Sequence, residues 1–237
     1  MHTVAVVLAG GTGRRFGAGL PKQMRLLDGR SLVERCVETF AAAPAVDEVL
    51  VVAAAELADE IRGQLSGVAK LAGVITGGAG RPDSTQRAIS WLSGRSAGEV
   101  KVLFHDAARP LVDQRTITAC VQALDTRQAV GVVVPSADTI VELADGAFRR
   151  ILPREALARC QTPQGFLLSV IAQAYELAAA DPDFAASPPT DDCGVVLRYL
   201  PDVPVGAVPG SERNLKITYA ADLAIAEALL TLGDPAD

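Results

Sequence analysis

Short apolar segments and segments of helical periodicity alternate along most of the chain. Residues 3–9 read Thr-Val-Ala-Val-Val-Leu-Ala, an unbroken apolar run rich in β-branched side chains. Runs without alternation of polar and apolar residues are typical of strands buried on both faces of a parallel sheet. We predict four further strands of the same sheet over 46–53, 74–76, 100–105 and 130–134.

Helical patterns fill the intervals between these strands. Ser31 is followed three residues later by Glu34, a capping box that predicts a helix ending near residue 43. Strands joined by helices of this length form right-handed crossovers. The pattern therefore predicts a Rossmann-like α/β fold with a doubly wound, mainly parallel sheet. The other helices expected in this part of the chain cover 55–65, 84–92 and 114–124.

The alternation stops at Pro135, where the sequence predicts an inserted β-hairpin. Residues 139–144 and 147–152 flank Asp145-Gly146, a dipeptide that favours the tight turn of a hairpin. The hairpin, at about 138–155, is either a decoration of the sheet edge or an arm that contacts a second subunit. Because no linker or repeat interrupts the chain, we predict a single domain over 1–237. The remaining elements expected are helices over 168–180, 190–199 and 219–230 and a strand over 205–208.

Composition narrows the classes of function. The chain has 22 basic and 28 acidic residues, and a net charge of −6 does not suit a protein whose main partner is a nucleic acid. Its two histidines and four widely spaced cysteines argue against a zinc site, a disulfide framework and a histidine-based triad. No segment reaches ~18 apolar residues, and no basic region precedes the first apolar run. We expect a cytoplasmic protein without a membrane partner.

The first candidate site follows the first strand. Residues 8–17 read Leu-Ala-Gly-Gly-Thr-Gly-Arg-Arg-Phe-Gly. In a doubly wound sheet this loop lies at the carboxyl edge, where glycines let backbone N–H groups approach phosphates. The spacing matches neither the P-loop nor the dinucleotide fingerprint. Arg14, Arg15 and Lys22 favour a triphosphate or a transition state that gains charge. The glycines would serve a simple tight turn equally well.

Two further clusters lie at the same predicted edge. Residues 77–84 form a second glycine-rich loop, in which Ser84 either caps the next helix or binds a ligand. Asp106 ends the strand over 100–105 and would suit Mg²⁺, which proteins hold with one or two carboxylates and substrate oxygens. The alternative for Asp106 is a structural pair with Arg109. His105 is assigned to packing or to a sugar contact.

The last third of the chain holds scattered polar candidates. Lys216 is the most distinctive, because it interrupts an apolar Leu-Lys-Ile-Thr segment that we predict to be a strand. A lysine in such a strand lies at an edge unless an anion faces its head group. The other candidates in this region are Arg154, Thr162 and Thr190.

The order of these motifs resembles that of the cytidylyltransferases that act on 2-C-methyl-D-erythritol 4-phosphate. Six motifs span nearly the whole chain. They are the glycine-arginine loop with Pro-Lys-Gln, Gly-Gly-x-x-Arg-x-Asp-Ser, His-Asp-Ala-Ala-Arg-Pro, Thr-Pro-Gln-Gly-Phe, Thr-Asp-Asp and Asn-x-Lys-Ile-Thr. The ribitol-5-phosphate and glycerol-phosphate cytidylyltransferases, a sister group, share this plan. Ala-Gly-Gly-Thr-Gly and residues 110–117 lean toward the sister group, whereas His-Asp-Ala-Ala-Arg-Pro favours the erythritol family.

The resemblance implies the substrates, the cofactor and a role for each matching residue. It implies CTP and a polyol phosphate as substrates, Mg²⁺ as cofactor and a homodimer formed through the hairpin arm. Asp106 would hold the metal. The implied catalytic residues are Arg15, Lys22, Arg154 and Lys216. The implied nucleotide-binding residues are Leu8, Ala9, Gly10, Gly11, Gly13, Gly78, Ser84, Asp106 and Ala107. The implied residues for the polyol phosphate are Asp106, Arg109, Thr139, Arg154, Thr162, Thr190 and Lys216.

The chemistry of such a transfer agrees with the residues that the chain contains. The nucleophile is a phosphate oxygen that is already anionic, so the reaction needs no general base and no catalytic histidine. It needs in-line positioning and neutralisation of the charge that grows on the transferred and departing phosphates. A nucleotide-binding module without activity is the competing class, and it would not need cations on both sides of one phosphorus.

Overall fold

The fold is organised around one mixed sheet, and the loops of the predicted site come directly after its strands. The computed structural model describes residues 1–11 and 21–233. The strands in these ranges are β1 (His2–Ala9), β2 (Leu26–Leu27), β3 (Arg30–Ser31), β4 (Glu48–Ala53), β5 (Leu71–Thr76), β6 (Val100–Asp106), β7 (Ala129–Pro135), β8 (Val141–Ala144), β9 (Ala147–Ile151), β10 (Ala158–Leu167) and β11 (Val205–Pro209).

Seven of these strands form the main sheet, in the order β11-β7-β10-β6-β1-β4-β5. Every neighbouring pair is parallel except those that β10 makes with β6 and β7, which are antiparallel. This arrangement confirms the prediction of a Rossmann-like, mainly parallel α/β sheet. The helices are α1 (Leu32–Ala42), α2 (Ala58–Gln64), α3 (Arg81–Ser93), α4 (Gln114–Ala123), α5 (Leu168–Ala180), α6 (Asp192–Tyr199) and α7 (Ala220–Leu232).

Both faces of the sheet are covered by helices. On β1, Ala5 and Val7 pack with α1, α2 and α4, whereas Val4 and Val6 pack with α3, α5 and α6. Adjacent side chains of a strand point to opposite faces, so an uninterrupted apolar run is what a sheet covered on both sides requires. α7 packs separately over Leu27, Leu32 and Ile217.

The start of α1 confirms the predicted capping box. The Ser31 side chain accepts a hydrogen bond from the Glu34 amide, and the Glu34 side chain accepts one from the Ser31 amide. The Asp145-Gly146 turn of the predicted hairpin is also confirmed: both residues have positive φ, 50° and 77°, as a tight hairpin turn between β8 and β9 requires.

One strand of the main sheet was not predicted. β10 contains Gln161, Thr162 and Gln164, which are all buried, and Pro163, a residue that argues against a central strand. The pairing of β10 with β7 shifts register between Gln161 and Gln164, and this irregularity accommodates the proline. The buried polar side chains bond to strand β6 and to neighbouring loops, so their burial gives no hydrophobic pattern to read.

Some predicted elements differ from the structure in where they begin or in whether they form. α3 begins at Arg81, before the predicted start at residue 84, because the Asp83 side chain accepts from the Gly80 amide and caps the helix. α6 begins at Asp192, with Asp191 as its N-cap, two residues later than predicted. The predicted strand over 215–218 is wrong: the segment is irregular, and Ile217 N donates to Ala108 O at 2.8 Å.

Candidate active site

A cavity of about 340 Å³ opens at the carboxyl ends of β1 and β6, beside the start of α3. This is the edge at which doubly wound sheets bind ligands. Because β1 and β6 are neighbours, Leu8 pairs with Asp106, and the Ala107 amide donates to Leu8 O. The residues that line the cavity are Leu8, Ala9, Gly10, Gly11, Lys22, Gln23, Ala79, Gly80, Arg81, Ser84, Asp106, Ala107, Ala108 and Lys216.

Asp106 lies between two cations in this cavity. Lys216 Nζ is 2.7 Å from Asp106 Oδ2, and Arg81 Nε is 3.4 Å from Asp106 Oδ1. Burial alone would raise the pKa of the Asp106 carboxyl, but the charges of Arg81 and Lys216 outweigh it and hold this pKa well below its usual range. The carboxylate is therefore ionised at neutral pH and is the one acidic side chain among the described residues that line the cavity.

Arg81 is a site residue that the sequence reasoning missed. Its Nη1 donates to Asp192 Oδ2 at 2.6 Å, so the guanidinium bridges Asp106 and Asp192. Asp192 is fully buried, and its other oxygen accepts from Thr85 Oγ1 at 3.0 Å and Tyr175 Oη at 2.7 Å. The signal in the sequence was the arginine of Gly-Gly-x-x-Arg, at the first position of a helix beside a glycine-rich loop.

Ser84 holds the second glycine loop in place. It lies in the first turn of α3, where its Oγ donates to Gly80 O at 2.9 Å and accepts from the Gly78 amide at 3.2 Å. Gly78 has no room for a side chain, since a Cβ there would lie 2.1 Å from Asp83 Cβ. A Cβ on Gly10 would lie 3.3 Å from Ser84 Oγ, so Ser84 also lies close to the first glycine-rich loop.

His105 is a packing residue, as one of the two predicted assignments has it. The ring is fully buried against Phe40, with centroids 5.0 Å apart. Its Nε2 donates to Arg109 O at 3.0 Å, and Nδ1 accepts from Thr162 Oγ1 at 3.1 Å. Burial lowers the pKa of His105 to about 4, so the imidazole is neutral at pH 7.

Arg109 and Thr162 lie behind the cavity wall. The Arg109 guanidinium donates to main-chain oxygens, Asn214 O at 2.8 Å and Cys160 O at 3.3 Å. Thr162 is buried, and its Oγ1 accepts from the Asp106 amide at 3.1 Å. In this structure both residues support neighbours of the site, and their contact with a polyol phosphate stays a prediction.

Other predicted residues lie away from the cavity. Thr139 and Arg154 are exposed, and Arg154 lines a groove at the base of the hairpin, where its Nη1 donates to Ala137 O at 3.2 Å. Thr190 is exposed just before the N-cap of α6. Gly13 and Arg15 lie outside the described residues.

The described residues contain no preformed cluster of metal ligands and no helix suited to span a membrane. No group of three or more His, Cys, Asp or Glu side chains in 1–11 and 21–233 is placed to hold a metal ion. Over the same ranges, no helix combines the length and the apolar character needed to cross a bilayer.

The chain matches known proteins over nearly its full length. The family described as IspD, 2-C-methyl-D-erythritol 4-phosphate cytidylyltransferase, matches residues 3–232. A protein from Thermobifida fusca (strain YX), named 2-C-methyl-D-erythritol 4-phosphate cytidylyltransferase, is 49% identical over 98% of this chain and 94% of its own. A bifunctional ribulose 5-phosphate reductase/CDP-ribitol pyrophosphorylase Bcs1 from Haemophilus influenzae is 35% identical over 95% of this chain and 48% of its own.

A solved structure has the same fold throughout. The crystal structure of 4-diphosphocytidyl-2C-methyl-D-erythritol synthase from Anaerococcus prevotii DSM 20548 superposes with a TM-score of 0.84 and is 26% identical in sequence. The superposition covers 97% of this chain and 98% of that one. The fold is therefore shared over nearly the whole length of both chains.

The pairing of Arg81 with Asp192 leads to a stability prediction. Replacing Asp192→Asn should lower the free energy of unfolding by about 3 kcal/mol, because Arg81 then loses its buried counter-charge. Urea denaturation followed by circular dichroism measures this. Asp59→Asn, which removes the carboxylate of the exposed Arg62–Asp59 pair, is the control and should keep the wild-type midpoint. An Asp192→Asn midpoint equal to that of the control would contradict the prediction.

Proposed function

We propose the activity of this chain from one premise: it belongs to the 2-C-methyl-D-erythritol 4-phosphate cytidylyltransferase family. It is a nucleotidyltransferase, and its reaction transfers the cytidylyl group of CTP to 2-C-methyl-D-erythritol 4-phosphate in isoprenoid precursor synthesis. The observation that carries the assignment of this reaction to the cavity is the Asp106 carboxylate, flanked by Lys216 and Arg81 and facing the glycines after β1.

The reaction is an in-line exchange of one phosphorus–oxygen bond for another. An anionic oxygen of the acceptor phosphate attacks the α-phosphorus of CTP and forms the new bond. The bond from that phosphorus to the oxygen bridging the β-phosphate breaks, and its electron pair leaves with pyrophosphate. No proton needs to be removed from the nucleophile, which agrees with the buried, neutral His105. Catalysis then rests on positioning and on charge stabilisation.

Cations that line the cavity would stabilise such a phosphorus. Lys22 lines the same cavity as the glycines that follow β1 and would face the triphosphate. The resemblance implies the same role for Arg15, which lies outside the described residues. Lys216 lies beside Asp106 and would face the acceptor phosphate. Preorganised charges of this kind stabilise the charge that develops on the α-phosphate and on pyrophosphate. Gly10, Gly11 and the loop held by Ser84 would contact the nucleotide.

The cavity also suits a divalent cation that arrives with the nucleotide. Asp106 is ionised at neutral pH, and Mg²⁺ is held by one or two carboxylates when phosphate oxygens and water complete its shell. Asp106 would hold Mg²⁺ in this way, and the metal when bound would neutralise charge on the triphosphate. Lys216 would then exchange its contact with Asp106 for one with a substrate phosphate.

The acceptor is proposed from the relatives and not from the cavity itself. The relative at 49% identity has the erythritol name, whereas the relative with the ribitol name is 35% identical. Lys216 and Asp106 would serve either acceptor, because both present the same phosphate monoester. The erythritol phosphate is therefore the first substrate to test.

An assay of pyrophosphate release tests this proposal. The purified protein with CTP and Mg²⁺ should release pyrophosphate with 2-C-methyl-D-erythritol 4-phosphate, with kcat/KM at least tenfold higher than with ribitol 5-phosphate or glycerol 3-phosphate. EDTA should abolish the signal, and Lys22→Ala should lower kcat by on the order of 10²-fold. Equal or faster turnover of ribitol 5-phosphate would contradict the erythritol phosphate as the preferred acceptor. The absence of pyrophosphate release with every acceptor would contradict the function itself.

The hairpin arm is proposed to contact a second copy of this chain. Leu143, Phe148 and Ile151 are 61%, 72% and 62% exposed, although such side chains normally pack in an interior. Among the described strands, β8 and β9 pair only with each other, so no strand of the main sheet supports the arm. Arg154, at the base of the arm, would then reach the acceptor phosphate in the site of the partner.

Replacing Phe148→Glu tests the arm. The charge should disrupt an apolar contact between subunits, so light scattering should change from the mass of a dimer to that of a monomer, and kcat/KM for the acceptor should fall at least tenfold. Leu197→Glu places the same charge on an exposed apolar position of α6 and should change neither quantity. A wild-type protein that is monomeric and fully active would contradict this proposal.

A further inference from the structure

We propose that Asn214 is a positioning residue for Lys216, a role that rests on the function proposed above. Lys216 lies on a segment without helix or strand, so no ladder of hydrogen bonds sets its place. Its Nζ is nevertheless 2.7 Å from Asp106. The position of the ammonium group therefore depends on the contacts that anchor this segment, and Asn214, two residues earlier, makes several of them.

Asn214 is fully buried and binds the segment to β10. Both protons of its Nδ2 are used: one is donated to Thr162 O at 2.8 Å and the other to Gln161 Oε1 at 3.2 Å. Gln161 also holds the chain just before Asn214, since its Nε2 donates to Ser211 O at 2.8 Å. Gly210 allows this close approach, because a Cβ there would lie 2.6 Å from Gln161 Oε1.

The same anchor is linked to Asp106. Thr162, whose carbonyl accepts from Asn214, uses its Oγ1 to accept from the Asp106 amide at 3.1 Å. Arg109, which lies three residues after Asp106, donates to the main-chain oxygen of Asn214 at 2.8 Å. Asn214 is thus the point at which the segment of Lys216 joins both the end of β6 and the middle of β10. A shift of this point would move Lys216 relative to Asp106.

The chemistry of these bonds requires an amide. Asn214 faces two oxygen acceptors, so this position needs a short side chain with two N–H protons. An aspartate carboxylate has only acceptor oxygens and would face the same two acceptors without a donor. Alanine would leave Thr162 O and Gln161 Oε1 without their donor inside the protein. The loss falls on geometry and not on a substrate contact, because Asn214 is absent from the residues that line the cavity.

A double-mutant cycle tests this role. Asn214→Ala should lower kcat/KM for the acceptor by about 10- to 100-fold, since misplacement by about 1 Å can cost this much, and should change KM for CTP by less than about threefold. In a Lys216→Ala background the same substitution should cost less than about threefold, because the group that it positions is gone. Gln161→Leu removes one of the two acceptors of Asn214 and should give a smaller loss of the same kind.

The controls separate positioning from stability and from the function itself. Ser31→Ala removes the cap of α1, away from the cavity, and should lower the melting temperature without changing kcat/KM. An Asn214→Ala loss equal in both backgrounds, or a KM for CTP that rises with it, would overturn the positioning role. If Asn214→Ala does not fold by circular dichroism, full activity of Gln161→Leu would overturn it. Wild-type activity of Lys216→Ala would instead refute the proposed role of Lys216.

Discussion

The site depends on one ionised carboxylate at the end of a buried strand. Asp106 is held between the ammonium of Lys216 and the guanidinium of Arg81, and its amide is bound by Thr162. Each partner comes from a different part of the chain. The carboxylate therefore holds the start of α3 and the irregular segment after β11 next to each other, and the main-chain amide of the same residue joins them to the middle of β10.

A second, fully buried carboxylate makes this arrangement rigid. Asp192 binds Arg81 and is itself held by Thr85 and Tyr175, so Arg81 has little freedom beside Asp106. The burial of such a pair costs desolvation that its attraction repays only with good geometry, which its three hydrogen bonds provide. The net charge of −6 says little about the cavity, where Lys22, Arg81 and Lys216 line the same space as one carboxylate among the described residues.

The predictable part of the molecule is the part whose hydrophobic pattern is regular. Unbroken apolar runs predicted the parallel strands, and the spacing of Ser31 and Glu34 predicted the helix cap. β10 could not be predicted because Pro163 lies in it and three of its buried residues, Gln161, Thr162 and Gln164, are polar. The segment of Lys216 was predicted to be a strand and is irregular. The glycine loops and Asp106 were predicted because strand ends converge at one edge. Arg81 needed the burial of Asp192, which no local pattern reveals.

The activity of Asp106→Asn tests the central claim, that this carboxylate organises the site for nucleotide transfer. The substitution keeps the shape of the side chain and removes the charge that Arg81 and Lys216 share. With the fold verified by circular dichroism, we expect kcat/KM for cytidylyl transfer to fall by on the order of 10²-fold or more, and higher Mg²⁺ should not restore it. An Asp106→Asn protein with wild-type kcat/KM and an unchanged Mg²⁺ titration would contradict the account.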